Sequence, residues 1–157
     1  MTRFFLDTPL LLACFDDRLP ERQAQAQAWL RLAWQERAGR VSQQVLAEFY
    51  AQARLLFPSS PIAAGDARAE ARRLQHWQPW AMDAATMETA WAVESRYGLP
   101  FAEAQVVACA QAQDCEVLLS ESLPDGLRID QLWVMNPFLT SPGQWPEWRA
   151  RRAAPQA

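Results

Sequence analysis

The segment Arg3-Phe4-Phe5-Leu6-Asp7 decides the fold class, because it is a short apolar run that ends in a carboxylate. Such a run is typical of a buried strand, and Pro9 begins the helical or irregular segment that follows it. Similar apolar runs predict further strands, some of them very short, at 40–41, 80–82, 116–120 and 131–135. These strands are expected to share one sheet.

Helical segments separate the predicted strands. Ser42, Asp66 and Asp83 are N-cap candidates, and Gly39 and Gly98 are expected to end the helices that precede them. The predicted helices cover residues 21–37, 43–57, 67–77, 84–97 and 101–113, and a loop is predicted over 57–65. Because strands alternate with helices, we expect an α/β domain with a mainly parallel central sheet covered on both faces.

Composition limits the number of sites and the kind of partner. With 157 residues and 50% apolar content, the chain has the size of one ordinary domain. No apolar run approaches the roughly 18 residues that a transmembrane helix needs, so we expect a cytoplasmic protein without membrane contact. The net charge is -3 and every basic residue is Arg, so any polyanion must be held by a local patch.

Several chemistries are disfavoured by what the sequence lacks. It has no Gly-rich phosphate loop, no nucleophile elbow and no zinc-protease helix motif. His76 is the only histidine and is expected to be a structural side chain. The cysteines show no paired metal-ligand spacing, and we expect buried thiols at Cys14, Cys109 and Cys115. Most tryptophans are expected to fill the core or a dimer face, namely Trp29, Trp34, Trp77, Trp80 and Trp91.

The composition changes from Thr140 onward, where Pro, Gly, Trp, Arg and Ala dominate. We therefore expect a domain over residues 1–139 and a polar C-terminal tail over 140–157, outside the core. The tail combines Trp145 and Trp148 with three arginines, Arg149, Arg151 and Arg152. Two interpretations are open: the tail grips RNA or a protein partner, or it packs onto its own domain.

Four carboxylates occupy places from which a shared site can be built. Asp7 closes the first strand and Glu121 follows a later one, while Glu48 and Glu103 lie on helices. The carboxyl ends of parallel strands share one edge of a sheet, so Asp7 and Glu121 are expected to converge there.

Each of these carboxylates also has a simpler interpretation. Glu103 lies within the apolar stripe of its helix, where it either accepts hydrogen bonds from the free amides of the first turn or faces a metal ion. Glu48 lies at the margin of the buried face of its helix, where most glutamates are solvated. Asp7 could serve to form a turn with Thr8 and Pro9.

Four segments in order resemble the PIN-domain family. Phe4–Thr8 resembles the opening strand of such domains, and 41–50, with Glu48, resembles the second acidic element. The third and fourth elements have counterparts in 97–104, with Glu103, and 118–126, with Glu121. Asn136-Pro137-Phe138 closes the chain as in many bacterial members, so the resemblance runs from about residue 3 to residue 138.

The resemblance implies a three-layer α/β/α sandwich and an acidic pocket that binds Mg²⁺ or Mn²⁺ and hydrolyses RNA. It assigns Asp7, Glu48 and Glu103 to the ion, and Glu121 to a second ion or to the attacking water. Many bacterial members are toxins of VapC type, often dimeric, so the implied partners are an RNA substrate, an antitoxin protein and a second copy of the chain. Hard oxygen ligands are those that Mg²⁺ prefers.

The sequence departs from the family pattern at three places. Pro9 replaces the usual Asn, and Glu103 replaces the usual Asp. Ser122 stands where many relatives have a further Asp, and Asp125 would have to compensate for that missing carboxylate. A misplacement of about 1 Å can reduce a rate on the order of 100-fold. Two functions are therefore considered: a metal-dependent endoribonuclease, and a catalytically degenerate PIN-like module that binds protein or RNA.

Overall fold

The computed structural model describes residues 1–56 and 64–155, and within them a five-stranded sheet forms the centre of the molecule. The strand order is β2-β1-β3-β5-β4, with every neighbouring pair parallel except β4 and β5. The strands are β1 (Phe4–Leu6), β2 (Gly39–Arg40), β3 (Val117–Leu119), β4 (Arg128–Ile129) and β5 (Leu132–Met135). The prediction of a mainly parallel sheet is confirmed.

The three central strands end level with one another. Leu6 pairs with Leu119, and Leu119 pairs with Met135, so the carboxyl ends of β1, β3 and β5 lie along one edge. Backbone hydrogen bonds continue one residue further, from the amide of Asp7 to Leu119 (3.3 Å) and from the amide of Ser120 to Met135 (3.1 Å). Asp7 and Ser120 are thereby held side by side.

Helices surround the sheet and form an α/β sandwich. They are α1 (Thr8–Ala13), α2 (Pro20–Gln35), α3 (Gln43–Leu56), α4 (Ala64–Leu74), α5 (Ala84–Tyr97), α6 (Phe101–Ala112) and α7 (Trp145–Ala153), with 3-10 turns at Gln75–Trp77 and Pro142–Gln144. Within the described ranges, no helix combines the length and the apolar character needed to cross a membrane.

Helix ends determined by local chemistry were predicted well. The Asp83 carboxylate accepts a hydrogen bond from the amide of Thr86 (2.7 Å), and Gly98 ends α5 in the left-handed region. The Ser42 hydroxyl accepts a hydrogen bond from the amide of Val45 (3.1 Å), as an N-cap does. The predicted cap at Asp66 is wrong, because α4 begins at Ala64 and Asp66 lies within its first turn.

Gly39 has a different role from the predicted helix stop. The chain leaves α2 through Arg37, which adopts a positive φ of 53°, and Gly39 belongs to β2. A Cβ atom at Gly39 would overlap the ring of Trp77, so this glycine is required for close packing.

The predicted strand at 80–82 is reduced to one bridge between Ser42 and Trp80, and the short edge strand β4 was not predicted. The predicted loop 57–65 falls mostly outside the described residues.

The segment from Thr140 contributes to the core. Trp145 is 9% exposed and lies edge-on to Phe4, with ring centroids 5.3 Å apart, while Trp148 is 7% exposed. The expectation that this segment lies outside the core is therefore wrong for these tryptophans, because their rings pack on Phe4 and Trp133 of the sheet, while Arg149 and Arg151 are exposed. Its division from the domain at residue 140 stays a prediction.

The remaining predicted core residues divide in two. Trp29 and Trp77 are buried and Trp34 and Trp80 pack against the core, whereas Trp91 is 48% exposed. The cysteines are free and buried, as predicted, and burial raises the pKa of the Cys14 and Cys115 thiols to about 12. A raised pKa disfavours the thiolate, which is the reactive form of cysteine.

Candidate active site

Asp7 lies at the carboxyl end of β1, where it is 7% exposed. Its Oδ1 accepts a hydrogen bond from the amide of Thr8 (2.8 Å), which caps α1. Its Oδ2 accepts one from the hydroxyl of Ser120 (2.7 Å), the residue after β3. Asp7 is therefore both a helix cap and a buried carboxylate at the strand edge. Its role in the turn with Thr8 and Pro9 is compatible with a role in an acidic site.

Thr8 connects Asp7 with Glu48. While its amide donates to Asp7, its hydroxyl donates to Glu48 Oε2 (3.0 Å), and Gln44 donates to Glu48 Oε1 (3.1 Å). Glu48 lies on α3 and is half-buried. The expectation of an ordinary solvated glutamate does not hold, since this carboxylate is fixed from two sides.

Glu103 lies in the first turn of α6, and no described donor, including the free amides of its helix, forms a hydrogen bond to its carboxylate. Burial raises the pKa of Glu103, and the charges of Asp7 and Glu48 raise it further. The simple capping interpretation of Glu103 is therefore not realised. Glu103, Asp7 and Glu48 are close enough to repel one another.

Opposing effects act on Asp7. Burial raises its pKa most, the hydrogen bonds from Ser120 and the amide of Thr8 lower it, and the charges of Glu48 and Glu121 raise it again; the net direction is upward. The site thus concentrates negative charge in a partly buried place. A divalent cation would relieve that repulsion.

The donors at this site fit Mg²⁺ or Mn²⁺ in kind, because all of them are carboxylate oxygens. In the part of the chain that the structure describes, no group of three or more His, Cys, Asp or Glu residues has the geometry to hold a metal ion. Asp7, Glu48 and Glu103 therefore suit Mg²⁺ or Mn²⁺ in their chemistry, while their arrangement in this structure does not form a complete ligand set.

Glu121 lies at the edge of the site and forms an ion pair. Arg22 of α2 donates from Nη1 to Glu121 Oε2 (2.9 Å) and from Nη2 to Oε1. The guanidinium also lies over the ring of Phe138, 3.6 Å from its centroid. Glu121 acts on Asp7 electrostatically, as its place at the same edge predicts, but its closest partner is a cation supplied by the chain.

The departures from the family pattern have local explanations. Pro9 occupies the first turn of α1, where a missing amide hydrogen costs no helical hydrogen bond. Ser122 is exposed, and its amide donates to the Ser120 hydroxyl (3.1 Å). Asp125 does not replace it, because its carboxylate accepts from the amide of Asn136 (2.8 Å) and pairs with Arg152.

Sequence reasoning missed the residues that hold the carboxylates in place. Thr8 and Ser120 stand beside Asp7 and Glu121 in the segments that resemble the family, so their hydroxyls were available as a signal. Arg22 gave no signal, because it lies 99 residues from Glu121 and only packing brings the two together.

The model of the PIN domain family matches residues 4–121, which is most of the chain and includes all four carboxylates. The chain belongs to the PIN-domain family. PIN domains are generally nucleases that use divalent metal ions, which agrees with a cluster of carboxylates at the strand edge. A comparison with curated proteins finds no match to this PIN-domain chain.

Proposed function

We propose that this PIN-domain protein is a metal-dependent endoribonuclease that hydrolyses phosphodiester bonds of RNA. The observation that supports the proposal is electrostatic and geometric: the charges of Asp7 and Glu48 act on Glu103, and Thr8 hydrogen-bonds to both Asp7 and Glu48 at a partly buried edge of the sheet. Such a cluster is costly for stability, because burial and mutual repulsion both oppose ionisation. Carboxylates whose pKa is raised by burial and by neighbouring charges, as at Asp7 and Glu103, are typical of functional sites.

In this proposal Asp7, Glu48 and Glu103 would hold Mg²⁺ or Mn²⁺. A bound ion of this kind lowers the pKa of a coordinated water and shields the charge of the phosphate. Ser120 and Thr8 keep the Asp7 carboxylate oriented, and Thr8 and Gln44 do the same for Glu48. Glu103 does not cap its own helix, so its carboxylate would be available to the ion.

The finer biological role also belongs to the proposal. The toxin role is supported by the resemblance to the PIN-domain family, because many of its bacterial members are toxins of VapC type. In that role the protein would act in the cytoplasm, form a homodimer and bind an antitoxin protein. Exposed Trp91 is a candidate contact for the dimer face that the tryptophan content predicts.

Cleavage of a fluorescent mixed-sequence single-stranded RNA tests the activity. We expect cleavage with Mg²⁺ or Mn²⁺, none with EDTA, and a loss of more than about 100-fold in Asp7→Asn and Glu103→Gln, since removing even an indirect support of a metal site costs about 10–100-fold. Glu88→Gln is the matched control, because Glu88 is exposed on α5 and should leave activity unchanged. Equal RNA loss in all samples, EDTA included, would refute the proposal.

One observation favours a second function, a catalytically degenerate module that binds RNA or protein. Glu121 is paired with Arg22 and so differs from a carboxylate that is open to a metal ion. A protein of this kind would bind RNA in EDTA, would not bind Mn²⁺, and would cleave under no condition. Titration with Mn²⁺ therefore separates the two functions before any substrate is known.

A further inference from the structure

Arg22 and Glu121 form a forked ion pair at the edge of the candidate active site. Both terminal nitrogens of the guanidinium contact the two carboxylate oxygens, and the side chains are 32% and 30% exposed. This parallel geometry is specific to arginine and a planar anion. Glu121 acts electrostatically on the buried Asp7 and directly follows Ser120, whose hydroxyl donates to Asp7, so the ion pair lies beside that carboxylate.

The guanidinium has unused hydrogen-bonding capacity. Arginine carries five N–H donors, and Glu121 takes two of them. No other hydrogen bond of Arg22 occurs within the described ranges, so its remaining donors point to solvent or to the site. One face of its plane is covered by Phe138 at 3.6 Å, and the edge that carries Nη1 and Nη2 is taken by Glu121, which leaves the Nε side of the guanidinium for a second anion.

The position of Arg22 is built by the fold. Trp29, on the same helix, is fully buried, and its indole nitrogen donates to the carbonyls of Pro137 and Thr140, both at 3.0 Å. The Asn136 side chain accepts from the amide of Phe138 (2.9 Å). Helix α2 therefore fixes the segment that carries Phe138, and Phe138 in turn supports Arg22 of α2. This gives the Asn136-Pro137-Phe138 segment a physical role at the site.

We propose that Arg22 takes the place of a second metal ion at Glu121 and offers its free N–H groups to a phosphate of bound RNA. The inference rests on the proposed nuclease function. In a protein of net charge -3, a phosphate that approaches several carboxylates is repelled, so a fixed cation at their edge lowers the barrier to binding. A guanidinium suits this task because it has a second pair of parallel donors, Nε–H and the outer N–H of the adjacent terminal nitrogen, which matches two phosphate oxygens while Glu121 keeps the first pair.

The test compares Arg22→Gln with Arg31→Gln, which removes the same charge from an exposed position on the same helix. Calorimetric titration measures how many Mn²⁺ ions bind to each protein. We expect one in the wild type and in Arg31→Gln, and a second in Arg22→Gln, where Glu121 is released.

RNA affinity is then measured by fluorescence anisotropy in EDTA, where the proposed function forbids cleavage. Losing a charge-assisted hydrogen bond is expected to weaken binding about 10- to 100-fold in Arg22→Gln, with a smaller loss in Arg22→Lys, which keeps the charge without the fork. The salt dependence should become shallower by about one phosphate contact. Arg31→Gln should bind RNA almost as the wild type does.

Two results would overturn the inference while leaving the nuclease proposal intact: a metal-dependent wild-type enzyme that binds two Mn²⁺ ions, or equal RNA affinity in the two glutamine variants. A wild type that neither binds Mn²⁺ nor cleaves RNA would overturn the nuclease proposal itself, and the assignment of Arg22 in place of a metal ion with it.

Discussion

Ser120→Ala tests whether the candidate site is organised around an ionised Asp7. The Ser120 hydroxyl is 2% exposed and donates to Asp7 Oδ2 over 2.7 Å, while Asp7 itself is 7% exposed. A buried hydrogen bond to a charged group contributes about 1.5–3 kcal/mol to folding, against about 0.5–1.5 kcal/mol for a neutral one. We therefore expect Ser120→Ala to lower the free energy of unfolding by about 1.5–3 kcal/mol at pH 7 in EDTA.

The assay is urea unfolding followed by tryptophan fluorescence, in the wild type and in an Asp7→Asn background. In the Asn background no charge is present, so the cost of Ser120→Ala should fall to about 0.5–1.5 kcal/mol. Ser122→Ala is the matched control, because this exposed serine lies two residues away and should change stability by less than about 0.5 kcal/mol. If Ser120→Ala costs the same in both backgrounds, Ser120 does not support a carboxylate charge, and the reasoning fails.

Two further predictions concern charge and packing. Burial raises the pKa of Asp7 above its unfolded value of 3.8. The stability that protonated Asp7 gives the folded state is therefore complete below pH 3.8 and is lost as pH rises through the folded pKa. Asp7→Asn should be more stable than the wild type at pH 7 in EDTA, and an equal pH dependence of unfolding in both proteins would contradict this. Gly39→Ala should destabilise by about 1–3 kcal/mol, since its new methyl group overlaps the Trp77 ring. Gly65→Ala, where nothing lies within 4 Å on an exposed helix, should instead stabilise by about 0.5–1 kcal/mol. A Gly39→Ala variant that melts at or above the wild-type temperature would show that packing against Trp77 is not limiting.

The sequence by itself determined the fold class and the acidic character of the site. Apolar runs such as Phe4–Leu6 and Val117–Leu119 identify buried strands without tertiary information, because burial on both faces requires such runs. The ends of α5 at Asp83 and Gly98 were predictable for a similar reason, since a cap depends on residues within one turn. The level strand ends then follow from parallel pairing, and they place Asp7 at the edge of the sheet.

Other features were decided by packing between distant segments. The two-residue strand β4 exists only through its pairing with β5, and the need for Gly39 arises from the position of the Trp77 ring. The arginine-rich composition of α7 predicts a polar segment, although Trp145 and Trp148 are buried. Their burial depends on a sheet surface formed by residues much earlier in the chain. None of these contacts leaves a local pattern in the sequence.

At the candidate site, some features follow from the sequence and others only from tertiary packing. The sequence supplied the four carboxylates in order, but not the Thr8, Ser120 and Arg22 contacts that orient or neutralise them. A side-chain hydrogen bond or ion pair depends on distances of about 3 Å between groups, and such distances depend on how α2, α3 and α6 pack around the strand edge. Residue types and their spacing determine which charges can meet, and tertiary packing decides which of them do.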